Sequence, residues 1–507
     1  MVIQIEKPMK RKLFLETFGC QMNQLDSELV LGQLRAQGYE AVPDRERADV
    51  IIYNTCSVRE HAEQKVWSRL GELRDRKARE PGLVIGVIGC MAERDGVNLF
   101  KKYPHVDLLC GPGELDKLAG MVHNAAVAAT AVADGDALTD RQGDMHGGRQ
   151  VALMGATARR SSTLEAAVDN LELLDLSRSI SPGEMPAQAY VRITRGCNKF
   201  CTYCVVPHTR GPEVHRPPTN IIEEVKRLVA SGVREVTLLG QTVNHYSHID
   251  ESGRKTTFAD LLYQVHKAVP DLPRLRFVTS FPRDFSNEAL QAMRDCPRIC
   301  RYLHIPAQSG SDRILRLMNR SYTAESYRDL IQRAREMMPD ICLASDFIVG
   351  FPTETDADFA ATVELLRDCR FKNSFIFKYS PRPGTVAIDR HADDVPEEIK
   401  RRRNSELLEA QRQVSEANNS QMIGVRTRVL VESQSRLAQR PVNATSGAVE
   451  LGWERRSAAA VTEMVQLIGR TAGDQIVAFD GDPDLVGELV DIEITSARSL
   501  TLFGRIL

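Results

Sequence analysis

Apolar residues in the first 120 positions fall into short runs separated by longer stretches of helical spacing. Three of the runs, "KLFLETFGC", "ADVIIYNTC" and "LVIGVIGC", end at Cys20, Cys56 and Cys90. Between them, Asp26 to Gln37 and Glu60 to Arg76 carry apolar residues at the period of an amphipathic helix. A separation of about 35 residues is the length of one strand-helix-strand unit, which predicts a parallel α/β domain over 11–125. Strands of such a sheet end at one edge, where ligands sit. The three cysteines are therefore predicted to meet there. Any one of them would suit a buried core thiol, whereas three at equivalent strand ends suggest a ligand set.

Periodicity is lost between 121 and 185, in stretches such as "AAVAATAVADGDAL" and "DRQGDMHGGRQ". This composition predicts a flexible linker over 126–184, with a short helix at Leu164 to Leu174. Alternation then returns. Strands are predicted at Ala189 to Ile193, Glu235 to Leu239, Leu275 to Thr279, Arg301 to Ile305, Cys342 to Val349 and Ser374 to Lys378. Helices are predicted between them, for example Thr219 to Ala230 with Thr219 as N-cap, and Ala324 to Met337. Six strand-helix units over 185–420 imply a partial β/α barrel, closed off by a charged helix from Glu397 to Met422 that contains Arg401, Arg402 and Arg403. Beyond Gly424 the short alternating runs "RTRVLVES", "QIVAFDG", "GELVDIEITSA" and "SLTLFGRIL" predict a small antiparallel barrel over 421–507, with 434–460 as an inserted loop.

Bulk properties narrow the function only a little. A chain of 507 residues divides into two to four domains. Its 66 Lys+Arg against 68 Asp+Glu give a net charge of -2, so any RNA site must be local. No apolar run approaches a membrane span, and "MVIQIEKPMKRKLFLETFGC" has no signal-peptide core. A cytoplasmic protein with no membrane association is expected. In a reducing compartment its 11 cysteines are ligands, catalysts or buried thiols rather than a disulfide framework.

The segment "GCNKFCTYC" changes the picture, because it puts Cys197, Cys201 and Cys204 within eight positions. Soft sulfur ligands select zinc, copper or iron-sulfur clusters. Zinc wants four protein ligands, and His208 is the nearest candidate to complete a Cys₃His set. A four-iron cubane held by three cysteines keeps one iron open. The C-x₃-C-x₂-C spacing differs from the C-x₂-C-x₂-C run of bacterial ferredoxins, which disfavours a plain electron carrier. A zinc-dependent RNA-binding protein remains the alternative outside the enzymes. Cys110, Cys296, Cys300, Cys342 and Cys369 are assigned to packing.

The C-x₃-C-x-aromatic-C motif, with Tyr203 as the aromatic, resembles the radical S-adenosylmethionine superfamily. With the three-cysteine amino-terminal domain and the small terminal barrel, nearly the whole chain is similar to the methylthiotransferases, and within them to the MiaB family of tRNA-2-methylthio-dimethylallyladenosine synthases. The matching segments include "TFGCQMNQLDSE" at 17–28, "NTCSVREHAEQKVWSRLG" at 54–71, "GCNKFCTYCVVPHTRG" at 196–211, "LLGQTVNHY" at 238–246, "HIPAQSGSDRILRLMNRSYT" at 304–323, "SDFIVGFPTET" at 345–355 and "PRPGT" at 381–385. Around the first two cysteines, "GCQMN" and "NTCSVRE" separate it from relatives acting on threonylcarbamoyl-adenosine tRNA or on a ribosomal protein.

The resemblance implies two 4Fe-4S clusters, one held by Cys197, Cys201 and Cys204 and one by Cys20, Cys56 and Cys90. It implies two S-adenosylmethionines, one chelated at the open iron of the first cluster as radical source and the other serving as methyl donor. The second cluster would hold the inserted sulfur. The implied reaction methylthiolates carbon-2 of dimethylallyl-adenosine next to the anticodon. An electron donor such as flavodoxin or ferredoxin is expected, with tRNA as substrate and a monomer as the working form. Candidate cofactor contacts are Tyr203, Gly240, Gln241, Gln308, Ser345, Asp346, Val349 and Gly350, with Ser309 and Ser311 near them. Arg192, Arg195, Lys199, Arg210 and Arg216 crowd the cysteine loop as candidate phosphate contacts. The terminal domain is expected to be TRAM-like, yet from Gly424 to Leu507 it has nine arginines, no lysine and eleven Asp+Glu. RNA binding there would need a local arginine stripe.

Overall fold

The computed structural model describes residues 11–57, 60–133, 149–154, 163–180, 186–435 and 464–507. The predicted insertion at 434–460 lies almost wholly outside them.

The amino-terminal domain runs β1 (Lys12–Phe18), α1 (Gln21–Ala36), β2 (Glu40–Ala41), β3 (Val50–Thr55), α2 (Glu60–Arg79), β4 (Val84–Gly89), α3 (Cys90–Asp95), α4 (Asn98–Lys102), β5 (Leu108–Cys110), α5 (Leu118–Ala133), β6 (Gln150–Ala152) and α6 (Thr163–Leu176). Its six strands form one sheet in the order β2-β1-β3-β4-β5-β6, and every pair is parallel. β3 and β4 are buried along their whole length, as a sheet covered on both faces requires. Helix α1 starts at Gln21, directly after Cys20, five residues before the predicted start.

The segment read as a linker is built into this domain where it is described. α5 runs on to Ala133, Gln150–Ala152 pairs with β5 as the sixth strand, and α6 spans Thr163–Leu176. The alanine-rich composition that reads as linker also suits a helix packed on a neighbour: Ala125, Ala126 and Ala129 are buried in the domain core. The rest of the predicted linker lies outside the described residues.

The central domain contains β7 (Gln188–Arg192), β8 (Thr194–Arg195), α7 (Val206–Thr209), β9 (Val214–His215), α8 (Pro218–Ala230), β10 (Glu235–Leu239), β11 (Ser247–Ile249), β12 (Lys255–Thr257), α9 (Phe258–Ala268), β13 (Arg274–Val278), α10 (Asn287–Asp295), β14 (Tyr302–His304), α11 (Asp312–Leu317), α12 (Ala324–Met337), β15 (Cys342–Val349), α13 (Asp356–Cys369), β16 (Asn373–Lys378), α14 (Val386–Arg390) and α15 (Glu397–Ser420). Six parallel strands make the partial barrel in two halves, β7-β10-β13 and β14-β15-β16, joined at a single bridge between Leu275 and Ile299. Helix α8 begins one residue earlier than predicted, with Pro217 as N-cap and Pro218 in its first position. Proline suits that position because its missing N–H would be unpaired there anyway.

The terminal domain is a closed barrel of β17 (Arg426–Gln434), β18 (Val465–Thr471), β19 (Ile476–Gly481), β20 (Leu489–Ala497) and β21 (Thr501–Ile506), in the order β17-β18-β19-β21-β20. It is not purely antiparallel, since β19 and β21 run parallel. Strand directions cannot alternate around a ring of five, so one pair must be parallel. The barrel docks under the central domain. Arg274 donates to the carbonyls of Arg470 (2.8 Å) and Arg428 (2.6 Å), and Lys372 pairs with Asp474 at 2.6 Å. No helix among the described residues is long and apolar enough to cross a membrane.

The amino-terminal core does not stop at its own sheet. Leu25, Leu29 and Leu34 of α1 belong to the same buried cluster as Leu239, Val278, Tyr302 and Ala344 of the barrel strands. Charge locks this junction. Asp175 of α6 is 1% exposed and meets Arg192 (3.2 Å), Arg195 and Arg216 (3.5 Å). Burial pushes its carboxyl up, but the three guanidiniums outweigh that and hold it down at about 2.

Removing one partner of a buried ion pair costs about 3–5 kcal/mol. Asp175→Asn should therefore lower the urea midpoint clearly at neutral pH. A carboxyl held below its ordinary value of 3.8 adds stability above that pH and loses it as pH falls through about 2. The gap between wild type and variant should accordingly narrow from pH 4 downward, and a constant gap would contradict the pairing.

Candidate functional site

The loop after β7 and β8 carries Cys197, Cys201 and Cys204 at the carboxyl-terminal mouth of the barrel, where barrel chemistry is done. Its path depends on Gly196, which sits at φ +68; a Cβ there would lie 1.9 Å from the carbonyl oxygen of Pro212. The Cys197 N–H donates to the Gly211 carbonyl, and the Thr202 N–H to the Met318 carbonyl. Cys197 and Cys201 are buried and Cys204 is half-buried. Burial pushes the Cys197 and Cys204 thiols up, and the neighbouring Cys201 adds to the rise. Metal ligands bind as thiolates, so a cation held here would have to offset the burial that raises Cys197 and Cys204. Arg320 supplies part of that charge, donating from Nη1 to Cys201 Sγ at 3.2 Å and from Nη2 to the Pro306 carbonyl.

The predicted cofactor contacts divide into two groups. Tyr203 stands edge-on to Phe351 beside the cysteines, with ring centroids 6.5 Å apart. Gln241 follows β10 at the mouth, and its buried Oε1 has no hydrogen-bond partner. Gln308 takes φ +68, with its N–H donating to the Asp346 carbonyl. Asp346 faces the barrel interior and hydrogen-bonds His304 at 3.0 Å. The others are turned to packing. Gly240 fits between Thr194 and Val243, where a Cβ would come within 3.2 Å of each. The Ser345 hydroxyl donates to the Ile305 carbonyl and accepts the Ala307 N–H, while Val349 lies in the core under the helices. Gly350, at φ +71, donates its N–H to Glu354, which Arg403 holds at 2.9 Å. Ser309 and Ser311 are buried against α13, bonded to Thr362 and Asp358. His208, the zinc alternative's fourth ligand, is exposed on α7.

The second triad lies where the parallel sheet predicts it. Phe18, Thr55 and Gly89 are paired across β1, β3 and β4, and Cys20, Cys56 and Cys90 follow them within two residues. Gly19 is required here, because a Cβ on it would lie 2.6 Å from Cys56 Cβ. Asn54 ties β3 to α1, accepting from Asn23 Nδ2 and donating to the Asn23 carbonyl, both at 2.8 Å. Among the described residues, no three Cys, His, Asp or Glu side chains converge into a group that could hold a metal ion. The donor set nevertheless fits an iron-sulfur group in its softness and in the charge supplied beside it.

That charge comes from the other domain. Arg210, six residues after Cys204, has a side chain 6% exposed and donates to Asp26 Oδ2 at 2.8 Å; Arg192 meets Asp26 Oδ1 at 3.0 Å. The Cys56 side chain and the Arg210 guanidinium lower the Cys20 thiol to about 6 against burial, and Arg210 partly offsets the burial that raises Cys90. Helix α7 of the cysteine loop packs against α3, which begins at Cys90. The two triads thus sit on touching elements. Arg192, Arg195, Arg210 and Arg216 are buried in ion pairs with Asp26, Asp175, Glu172 and Glu224, so they are not the phosphate contacts they resembled. Lys199 pairs with Asp284 at 2.5 Å. Sequence reasoning missed Arg320, His304 and Glu354; their only signal was position inside matching segments.

Three family models match the chain. Residues 12–111 match one described as "Uncharacterized protein family UPF0004", 191–366 the radical SAM superfamily and 463–507 the TRAM domain. A tRNA-2-methylthio-N(6)-dimethylallyladenosine synthase from Rhodopirellula baltica is 42% identical over 98% of this chain and 96% of its own. One of the same description from Neisseria meningitidis is 39% identical over 98% of this chain and 99% of its own. Among solved structures, a radical S-adenosylmethionine methyltransferase from Kitasatospora setae with cobalamin and a [4Fe-4S] cluster bound covers 75% of this chain and 74% of its own, at 14% identity and a TM-score of 0.46.

Arg210→Met keeps the bulk of the side chain but leaves the fully buried Asp26 with Arg192 as its one remaining guanidinium partner. Its urea midpoint should fall by the equivalent of about 3–5 kcal/mol, and Arg210→Lys should recover part of the loss. Wild-type stability in Arg210→Met would show that Asp26 does not depend on it.

Proposed function

The chain belongs to the tRNA-2-methylthio-N(6)-dimethylallyladenosine synthase family, and from that premise we propose that it methylthiolates carbon-2 of dimethylallyl-adenosine beside the anticodon of tRNA, at a site shared by two cysteine triads. The observation that carries this reading is the contact between α3 and α7, which brings the Cys90 helix against the loop of Cys197, Cys201 and Cys204. A radical formed at one triad and a sulfur held at the other need such closeness, because positioning is most of what a protein contributes to cofactor chemistry.

Cys197, Cys201 and Cys204 would hold one 4Fe-4S cluster and Cys20, Cys56 and Cys90 a second. When bound, the first cluster supplies the electron that cleaves S-adenosylmethionine, and the second supplies a site for the sulfur. The chain's own residues do the rest. Arg320 fixes Cys201, and Arg210 brings positive charge to Cys20 and Cys90. Gln241 offers an unpaired buried oxygen after β10, and Tyr203 and Gln308 would contact the cofactor with it. The working form is a cytoplasmic monomer fed electrons by a flavodoxin- or ferredoxin-type donor.

Metal analysis of anaerobically purified protein tests the cofactor set. About eight irons with matching sulfide are expected for two cubanes, whereas zinc without sulfide would overturn it. Cys56→Ala should keep reductive cleavage of S-adenosylmethionine and lose methylthio transfer. Wild-type product yield from that variant would remove the role given to the amino-terminal triad.

Substrate choice is tested with three tRNAs that differ only at the target adenosine, with methylthiolated nucleoside measured by mass spectrometry. The dimethylallylated form should be preferred, since each buried methylene adds about 0.8 kcal/mol. Bare adenosine should be poorer. Threonylcarbamoyl-adenosine should be poorer still, because its carboxylate needs a cationic partner. Preference for the threonylcarbamoyl form would refute the assignment of substrate.

A further inference from the structure

Two large aromatic side chains inside the central domain are left partly uncovered by protein. Phe375 is 46% exposed and Phe377 39%, although both belong to β16 of the barrel. Paired residues of parallel strands point to the same face. Phe375 is paired with Asp346 and Phe377 with Ile348, while His304 is paired with Ala344. All of these lie on one face. The opposite face, with Phe347 and Ile376, packs under the helices. Phe375 and Phe377 therefore look into the barrel interior, and Phe375 stands edge-on to the His304 ring at 6.1 Å.

This face leads to the chemistry. Ile348 packs in the cluster that contains Tyr203 of the cysteine loop. Asp346 is two residues back along the same strand, about 7 Å deeper, where it holds His304. The face thus offers an aromatic, apolar floor with one polar pair at its side, one layer below the cysteines. We propose that Phe375, Phe377 and the His304–Asp346 pair form the seat of the target nucleoside, an N6-alkylated adenine turned out of a single-stranded RNA loop. The aromatic side chains take the base face and the five-carbon tail, and the His304–Asp346 pair meets the polar edge of the base. Unstacked bases are held on aromatic side chains in this way, and enzymes that modify a base extrude it into such a pocket. The tail requires an apolar wall. Apart from Phe200, the other exposed large apolar side chains of the central domain, such as Ile249, Ile388 and Leu408, lie outside the interior face of its strands.

This inference rests on the substrate reading given above, and the experiment separates the two. Reconstituted full-length protein is titrated into labelled anticodon stem-loop RNA, with and without the dimethylallyl group, and binding is followed by fluorescence anisotropy. Wild type should bind the alkylated RNA about tenfold more tightly, the effect of burying two methylene equivalents or slightly fewer. In Phe375→Ala/Phe377→Ala both RNAs should bind more weakly, since base stacking is lost from each, but the alkylated RNA should lose more, so that the preference falls to within about twofold; Ile249→Ala should keep the full preference. Retention of the full preference by the double variant would overturn the assignment. Should that variant fail to hold iron, Phe377→Ala alone, read in the same way, decides. If wild type does not methylthiolate the alkylated RNA, the substrate reading falls and this seat falls with it.

Discussion

The structure depends on one set of buried charges. Asp26 and Asp175, both shielded from solvent, lie between Arg192, Arg195, Arg210 and Arg216 at the junction of the amino-terminal and central domains. Two carboxylates and four guanidiniums cannot be buried unless each finds a partner, because an isolated charge in the interior costs far more than a domain can spare. The pairing leaves little freedom in how the domains meet. Glu172 and Glu224 complete the balance around Arg216.

That fixed junction brings the elements that carry the two cysteine sets into contact. Each triad follows from local geometry: parallel strands end at one edge, and a strand followed by a glycine-hinged loop presents three thiols at the barrel mouth. Neither geometry says how far apart the two sets lie. Arg210 answers this directly, since it belongs to the cysteine loop of one domain and to the charge environment of Cys20 and Cys90 in the other. The barrel interior meanwhile opens its aromatic face at β16, one layer below the same loop.

Elements with strong periodicity were legible in the sequence. Glu235–Leu239 and Cys342–Val349 match the predicted strands end for end, and α12 spans the predicted Ala324–Met337. Errors gathered where composition misleads. Alanine-rich helix in α5 and the three-residue strand β6 read as linker, because their order comes from packing on neighbours rather than from their own periodicity. The arginines of the cysteine loop read as phosphate contacts. A guanidinium has the same sequence signature whether it faces RNA or a buried carboxylate supplied by a helix elsewhere in the chain, as α6 supplies Asp175 and α1 supplies Asp26.

By itself the sequence determined the chemistry available: two sets of three cysteines, each placed by local strand and loop geometry, and motifs that assign the chain to its family. These depend on spacing along the chain, which local backbone geometry converts into position. Only the tertiary structure decided that Asp175 of α6 is a buried counterion, that Ser345 and Val349 turn away from the mouth while Asp346 turns toward the interior, and that Arg210 reaches the other triad. Such facts concern which groups face each other across domains. They are set by the pairing of buried charges and the sharing of a core between residues far apart in the chain, and no local pattern encodes them.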